Sequence, residues 1–143
     1  MGMNIPVLDA SNYFRGLLLL IRKDRKITQP EIDLMKRVGK ALGFEQRFCD
    51  NAIDEILENA FIVDEPPSFS SKALAICFVK DGLSLAMADE EFHPSEELWL
   101  RSTAEKNGLT EAFFSQELRS ARQRRGMPLR LEVDQIVGEN ADS

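Results

Sequence analysis

The chain has 143 residues, of which 43% are hydrophobic and 29% are charged, and its formal net charge is −6 at pH 7. These values are those of an ordinary globular protein that is large enough for a hydrophobic core. The longest apolar run, residues 16–21, is too short to cross a bilayer, and the two cysteines have no metal-binding or disulfide spacing. We therefore expect no transmembrane segment, and a reducing, cytoplasmic setting.

Two helices are predicted at the start of the chain. The first runs from an N-cap at Asp9 or Ser11 to about Lys23, because its apolar residues recur at helical spacing. The second begins with a capping box over residues 28–31. It ends at Gly43, which can adopt the left-handed conformation that stops a helix.

A third helix is predicted over about 45–60, and the proline-containing segment 63–71 that follows it reads as a linker. Ser70 or Ser71 then caps a fourth helix, which contains Gly82.

Two more helices complete the pattern. His93 or Ser95 opens the fifth, which ends at residues 107–108, and Thr110 caps the sixth. Residues 129–133 alternate between apolar and polar side chains. Five residues are too few to show whether this segment forms a strand, a helical turn or an extended tail.

The two halves of the chain repeat one pattern at an offset of 65 residues. Residues 24–31 align without a gap with residues 89–96, and Gly43 aligns with Gly108. Repetition at a fixed spacing is the signature of a duplicated structural unit.

The sequence thus predicts an all-α fold, a helical bundle of two similar three-helix units. We expect a single domain over residues 1–143, with units at about 10–62 and 70–122 and a partly disordered C-terminal segment at 123–143.

The repeated loops place one pair of acidic residues at equivalent points of both units. The pairs are Asp24 with Glu31, and Asp89 with Glu96. Carboxylates are ligands for Ca²⁺ or Mg²⁺, so one interpretation is a divalent-cation site, although the spacing excludes an EF-hand. The alternative, which we favour, is that the glutamates cap their helices and the aspartates close the turns, with no metal required.

Both halves also share three consecutive features. The first is a helix whose last residues are apolar and are followed by an acidic residue, the second is a short loop, and the third is a helix start rich in Pro, Ser and Glu. The better copy is residues 85–97, closed by Gly108–Leu109, and the weaker copy is residues 21–31, closed by Gly43–Phe44. On these residues the chain resembles the TerB-like family, named for a tellurite-resistance protein. Neither copy has the Gly that family members usually carry after the Asp.

The resemblance implies an all-helical bundle of two similar halves with a non-enzymatic role. The family has been associated with acidic surfaces and metal binding, and with stress-response complexes at the membrane.

No catalytic constellation can be assembled from the sequence. His93 is the only histidine and reads as a helix cap or a surface residue, while Cys49 and Cys77 fall on apolar helical faces and are predicted to be buried. No nucleophile elbow, phosphate loop or dinucleotide fingerprint is present. We therefore expect that the chain is not an enzyme.

Partner-binding residues are predicted near the start of the sixth helix, at Phe114, and around its end, at Arg122, Arg124 and Arg125. The alternative is that these arginines complement the helix dipole and pair with the acidic second unit, since residues 81–118 carry nine acidic residues against two basic ones. This acidity argues against nucleic acid as a partner. Peripheral membrane association stays open, because arginines can also contact anionic lipid.

The function that the sequence predicts is a non-catalytic interaction or scaffold module with a protein partner. The alternative is a metal-sensing or metal-sequestering protein, in which Asp24, Glu31, Asp89 and Glu96 would be the working residues.

Overall fold

The structure, a computed structural model, describes residues 5–23, 28–59, 63–88, 92–126 and 131–133. Within these ranges it contains six α-helices and no β-strand, which confirms the predicted all-α class. The helices are α1 Val7–Arg22, α2 Gln29–Ala41, α3 Gln46–Glu58, α4 Lys72–Ala88, α5 Pro94–Lys106 and α6 Glu111–Gln123. None of these six is long and apolar enough to pass through a membrane.

The described residues fall into two compact units. The first unit comprises those up to Glu65 together with Val133, and the second unit comprises those from Pro66 to Glu132. In the first unit α1, α2 and α3 contact one another pairwise, and in the second unit α4, α5 and α6 do the same. The division between the units falls inside the segment 63–71 that the sequence predicts as a linker.

In each unit the first helix is the most buried one. Ten of the 16 residues of α1 and ten of the 17 residues of α4 are buried. Tyr13, Phe14 and Leu17 of α1 have no exposed surface, and neither do Phe78 and Leu83 of α4.

The cores of the two units include aromatic contacts. In the first unit the rings of Phe14 and Phe44 meet edge to face, with centroids 6.0 Å apart. In the second unit Phe78 lies 6.1 Å from Trp99, centroid to centroid. Trp99 is only 6% exposed and belongs to the core of the second unit.

Most of the predicted helix boundaries are confirmed by hydrogen bonds or backbone angles. The hydroxyl of Ser71 accepts from the backbone N–H of Leu74 at 3.2 Å, and that of Thr110 accepts from the N–H of Phe113 at 3.0 Å. Gly43 and Gly108 adopt the left-handed conformation after α2 and α5, with φ angles of 91° and 77°.

The predicted start of the first helix is wrong. Helix α1 begins at Val7 with Pro6 as its N-cap, so Asp9 and Ser11 lie inside the helix. The carbonyl of Pro6 accepts from the N–H of Ala10 at 2.9 Å and closes the first turn. Asp9 fits within that turn because the N-terminal end of the helix dipole favours a negative charge.

The segment predicted as a linker is partly bonded to the second unit. The side-chain amide of Asn107 donates to the carbonyl of Pro67 at 2.9 Å, and its oxygen accepts from the N–H of Phe69 at 2.9 Å. Lys106 donates to the carbonyl of Pro66 at 2.7 Å. Residues 66–69 are therefore fixed to the end of α5.

Part of the C-terminal segment is also bonded to the second unit. The backbone N–H of Glu132 donates to a carboxylate oxygen of Asp81 at 2.5 Å. Leu131 is 1% exposed, and Asp81 has no exposed surface. The segment predicted to be partly disordered, residues 123–143, includes residues 127–130 and 134–143, which lie outside the described residues.

Candidate functional site

Two of the four predicted cation ligands cap helices. One carboxylate oxygen of Glu31 accepts from the backbone N–H of Thr28 at 3.1 Å and from its hydroxyl at 3.0 Å. The Thr28 hydroxyl accepts in return from the N–H of Glu31 at 3.4 Å, which completes the capping box. At the start of α5, Glu96 accepts from the backbone N–H of His93 at 3.1 Å. The capping interpretation of both glutamates, and the cap position of His93, are therefore confirmed.

The other two predicted ligands, Asp24 and Asp89, lie outside the described residues. In the part of the chain that the structure describes, no three His, Cys, Asp or Glu side chains gather closely enough to hold a metal ion. The divalent-cation site stays a prediction.

The two cysteines are free thiols. Burial raises the pKa of the Cys49 thiol, and the negative charge of Asp50 raises it further. Burial also raises the pKa of Cys77, to about 11, with further contributions from Asp81 and Glu132. Cys49 is buried as predicted, whereas Cys77 is half-buried. A raised pKa keeps a thiol protonated, which makes it a poor nucleophile and a poor metal ligand.

The predicted partner-facing position of Phe114 is wrong. Its side chain has no exposed surface, and the guanidinium carbon of Arg101 lies 4.6 Å from the centre of its ring. Phe114 occupies the buried side of α6 with Leu118 and Ala121, at the spacing of a helical face. That spacing could have assigned Phe114 to the core from the sequence.

The structure brings together two of the three predicted arginines. Arg122 and Arg125 line a cleft of about 510 Å³ in the second unit, which we call the arginine cleft. Arg124 lies outside the lining, and its guanidinium donates to the hydroxyl of Ser120 at 2.9 Å. The six lining residues are Met87, Phe92, Pro94, Glu97, Arg122 and Arg125.

The arginine cleft lies where three helix ends meet. Met87 is in the last turn of α4, Pro94 is the first residue of α5, and Arg122 is in the last turn of α6. The lining residues are up to 38 positions apart in the sequence, so no local spacing reveals them. Sequence reasoning found the two arginines from their charge and missed the other four.

Charges in and beside the cleft form a connected network. One oxygen of Glu97 lies 3.8 Å from a guanidinium nitrogen of Arg122, and the other lies 3.3 Å from one of Arg101. Arg101 also forms an ion pair with Glu111. Arg101 therefore contacts the carboxylates of Glu97 and Glu111 and the ring of Phe114. The contact of Arg122 with Glu97 is longer, and the Arg122 side chain is 60% exposed.

Comparison with family models, with curated proteins and with solved structures gives no match for this chain. The resemblance to the TerB-like family therefore rests on the residues of the repeated loops alone.

Proposed function

We propose that this chain is a non-catalytic protein-interaction module and that its second unit binds a protein partner at the arginine cleft. The observation that carries the proposal is the cleft itself, which combines two arginines with the apolar side chains of Met87, Phe92 and Pro94. Arginine and apolar anchors are enriched in the buried centres of protein interfaces, where they supply most of the binding energy.

The absence of catalysis is part of this proposal. It is supported by the raised pKa values of Cys49 and Cys77, and by the position of the single histidine at a helix start. The metal-sensing alternative has less support, because Glu31 and Glu96 already accept hydrogen bonds as helix caps.

The proposal also includes an internal duplication and membership in a TerB-like class of helical, cytoplasmic proteins. Helices α1, α2 and α3 begin at residues 7, 29 and 46, and α4, α5 and α6 begin at residues 72, 94 and 111. Each helix therefore starts 65 residues before its counterpart, the same offset as in the sequence. This agreement supports two units of common design.

Two double variants test the proposal. The cleft variant carries Arg122→Glu and Arg125→Glu, and the control variant carries Arg119→Glu and Arg124→Glu. Both change the net charge by the same amount, but only the first alters the lining of the cleft. A protein that copurifies with the wild type and the control variant, but not with the cleft variant, would then be purified and its binding measured directly.

Loss of the partner with both variants would indicate a nonspecific charge effect and would contradict the use of the cleft. Retention of the partner by the cleft variant would also contradict it.

A further inference from the structure

We infer that the arginine cleft binds a carboxylate side chain of an acidic peptide segment together with a neighbouring apolar side chain of that segment. This inference rests on the proposed function, since it names the chemistry of the partner segment. It follows from the two kinds of group that line the cleft and from a carboxylate that the chain itself places there.

The first half of the inference comes from the arginines. Arg122 lies in the last turn of α6, Arg125 directly follows the C-cap of that helix, and both line the cleft. The planar guanidinium group matches a carboxylate with two parallel hydrogen bonds and remains charged at any physiological pH. Two such groups in one cleft favour an anionic ligand and disfavour a cation.

The carboxylate of Glu97 shows how such a ligand would fit. It lies between Arg101 and Arg122, and its 3.8 Å contact with Arg122 is longer than a hydrogen bond. A ligand carboxylate can therefore bind Arg122 more closely while Glu97 remains with Arg101. Glu97 acts as an internal competitor of the ligand.

The second half comes from the apolar lining. Met87 is 5% exposed, and Phe92 and Pro94 complete an apolar wall beside the charged groups. A methionine side chain adapts its shape to different apolar partners. The volume of about 510 Å³ is in the range of small-ligand sites, so the cleft accommodates a few side chains of a peptide.

The surrounding charge favours a peptide over an extended polyanion. Residues 81–118 carry nine acidic residues against Arg101 and Lys106. This net negative charge would repel a nucleic acid or an anionic bilayer, whereas a short peptide needs to contact only the cleft.

Fluorescence anisotropy with labelled peptides tests this inference on the full chain. The acidic peptides carry Glu–Leu–Glu, Glu–Phe–Glu or Glu–Met–Glu at the centre of a Gly/Ser sequence. Matched peptides replace both glutamates with glutamine, or the apolar residue with glycine. We expect saturable binding of at least one acidic peptide. Binding should be about tenfold weaker after either replacement, because the first removes charge-assisted contacts and the second removes apolar burial.

The protein variants supply the second comparison. The cleft variant should bind that acidic peptide at least about tenfold more weakly, and the control variant should bind it within about twofold of the wild type. Glu97→Gln should bind it more tightly, because the internal competitor is removed. A purely structural role of Glu97 would give no such gain. Circular dichroism and thermal unfolding check that each variant is folded.

Three results would overturn the inference. They are equal binding of the glutamine peptides, no binding of any acidic peptide, and tighter cleft-dependent binding of single-stranded DNA or phosphatidylserine vesicles. If the cleft variant still loses a copurifying protein while no peptide binds, the inference fails and the proposed function stands. If copurification does not depend on the cleft, the proposed function fails as well.

Discussion

Gly39 of α2 packs so closely against Cys49 of α3 that a β-carbon on Gly39 would lie 2.2 Å from the Sγ atom of Cys49. The same carbon would lie 3.3 Å from a ring carbon of Phe14. Both distances are shorter than an ordinary van der Waals contact. The missing side chain of Gly39 is therefore what allows α2 and α3 to approach each other in the first unit.

We predict that Gly39→Ala destabilises the protein. Alanine improves helix propensity by about 1 kcal/mol, but overpacking a buried contact costs about 1–3 kcal/mol, so we expect a net loss of up to about 2 kcal/mol. Urea unfolding of the wild type and the variant measures it.

The matched test is the double variant Gly39→Ala with Cys49→Ala, which removes the sulfur atom from the contact. It should lose less stability than the sum of the two single variants, because the clash of Gly39→Ala is relieved. The contact between positions 39 and 49 would not restrict the side chain at position 39 if the two changes in unfolding free energy were strictly additive. A gain in stability from Gly39→Ala alone would show the same.

The caps of α2 and α5 lead to a second prediction. Glu96→Ala leaves the backbone N–H of His93 without its acceptor and should cost about 1–3 kcal/mol, since Glu96 is almost fully buried. Glu96→Gln keeps an oxygen acceptor and should cost less. Thr28→Ala should cost about 1 kcal/mol through loss of the N-cap.

The same variants separate capping from cation binding. If capping is the main role of these residues, millimolar Ca²⁺ or Mg²⁺ leaves the thermal unfolding midpoint of the wild type unchanged. A midpoint that rises with Ca²⁺ or Mg²⁺ in the wild type, but not in Glu96→Gln, would instead support a metal site.

Asp81 provides a third prediction. Its buried carboxylate accepts the backbone N–H of Glu132, and Asp81→Ala should cost about 1–3 kcal/mol by leaving that N–H without its acceptor. Hydrogen exchange at residues 131–133 should accelerate more than exchange within α5. Asp81→Asn should have a smaller effect because its amide oxygen can still accept. Unchanged exchange at Glu132 in Asp81→Ala would contradict this role.

Local signals in the sequence were sufficient for most of the helix boundaries. The cap of Thr28 and Glu31 and the left-handed Gly43 each depend on residues within about five positions, and the sequence contains all of them. The start of α1 was misplaced because Asp9 is a good cap by type and is also stable inside a first turn. Residue type alone cannot distinguish these two positions.

The arginine cleft could not be predicted in full, for a different reason. Its lining comes from three helices, and the distance between Met87 and Arg122 depends on how α4, α5 and α6 pack. The rotation of α6 about its own axis determines that Phe114 is buried and Arg122 is exposed. The sequence identified the basic residues, but only packing determines which of them share a surface with apolar side chains.

The thiol of Cys77 gives the last prediction, a dependence of stability on pH. Burial, and then the negative charges of Asp81 and Glu132, raise its pKa from 9.0 to about 11. Well below pH 9 the thiol is protonated in both the folded and the unfolded chain. As the pH rises from 9 towards 11, the unfolded chain loses this proton first, so the folded state becomes less stable.

This loss is measured as the free energy of unfolding in urea, at neutral pH and near pH 11, for the wild type and Cys77→Ala. The wild type should lose more stability than Cys77→Ala, because all other titrating groups are shared. Alkylation by iodoacetamide in a Cys49→Ala background should be slow at neutral pH and should keep accelerating until the pH reaches about 11, since the thiolate is the reactive form. Fast alkylation near neutral pH would show that Cys77 is a reactive thiol, which would also weaken the case against catalysis.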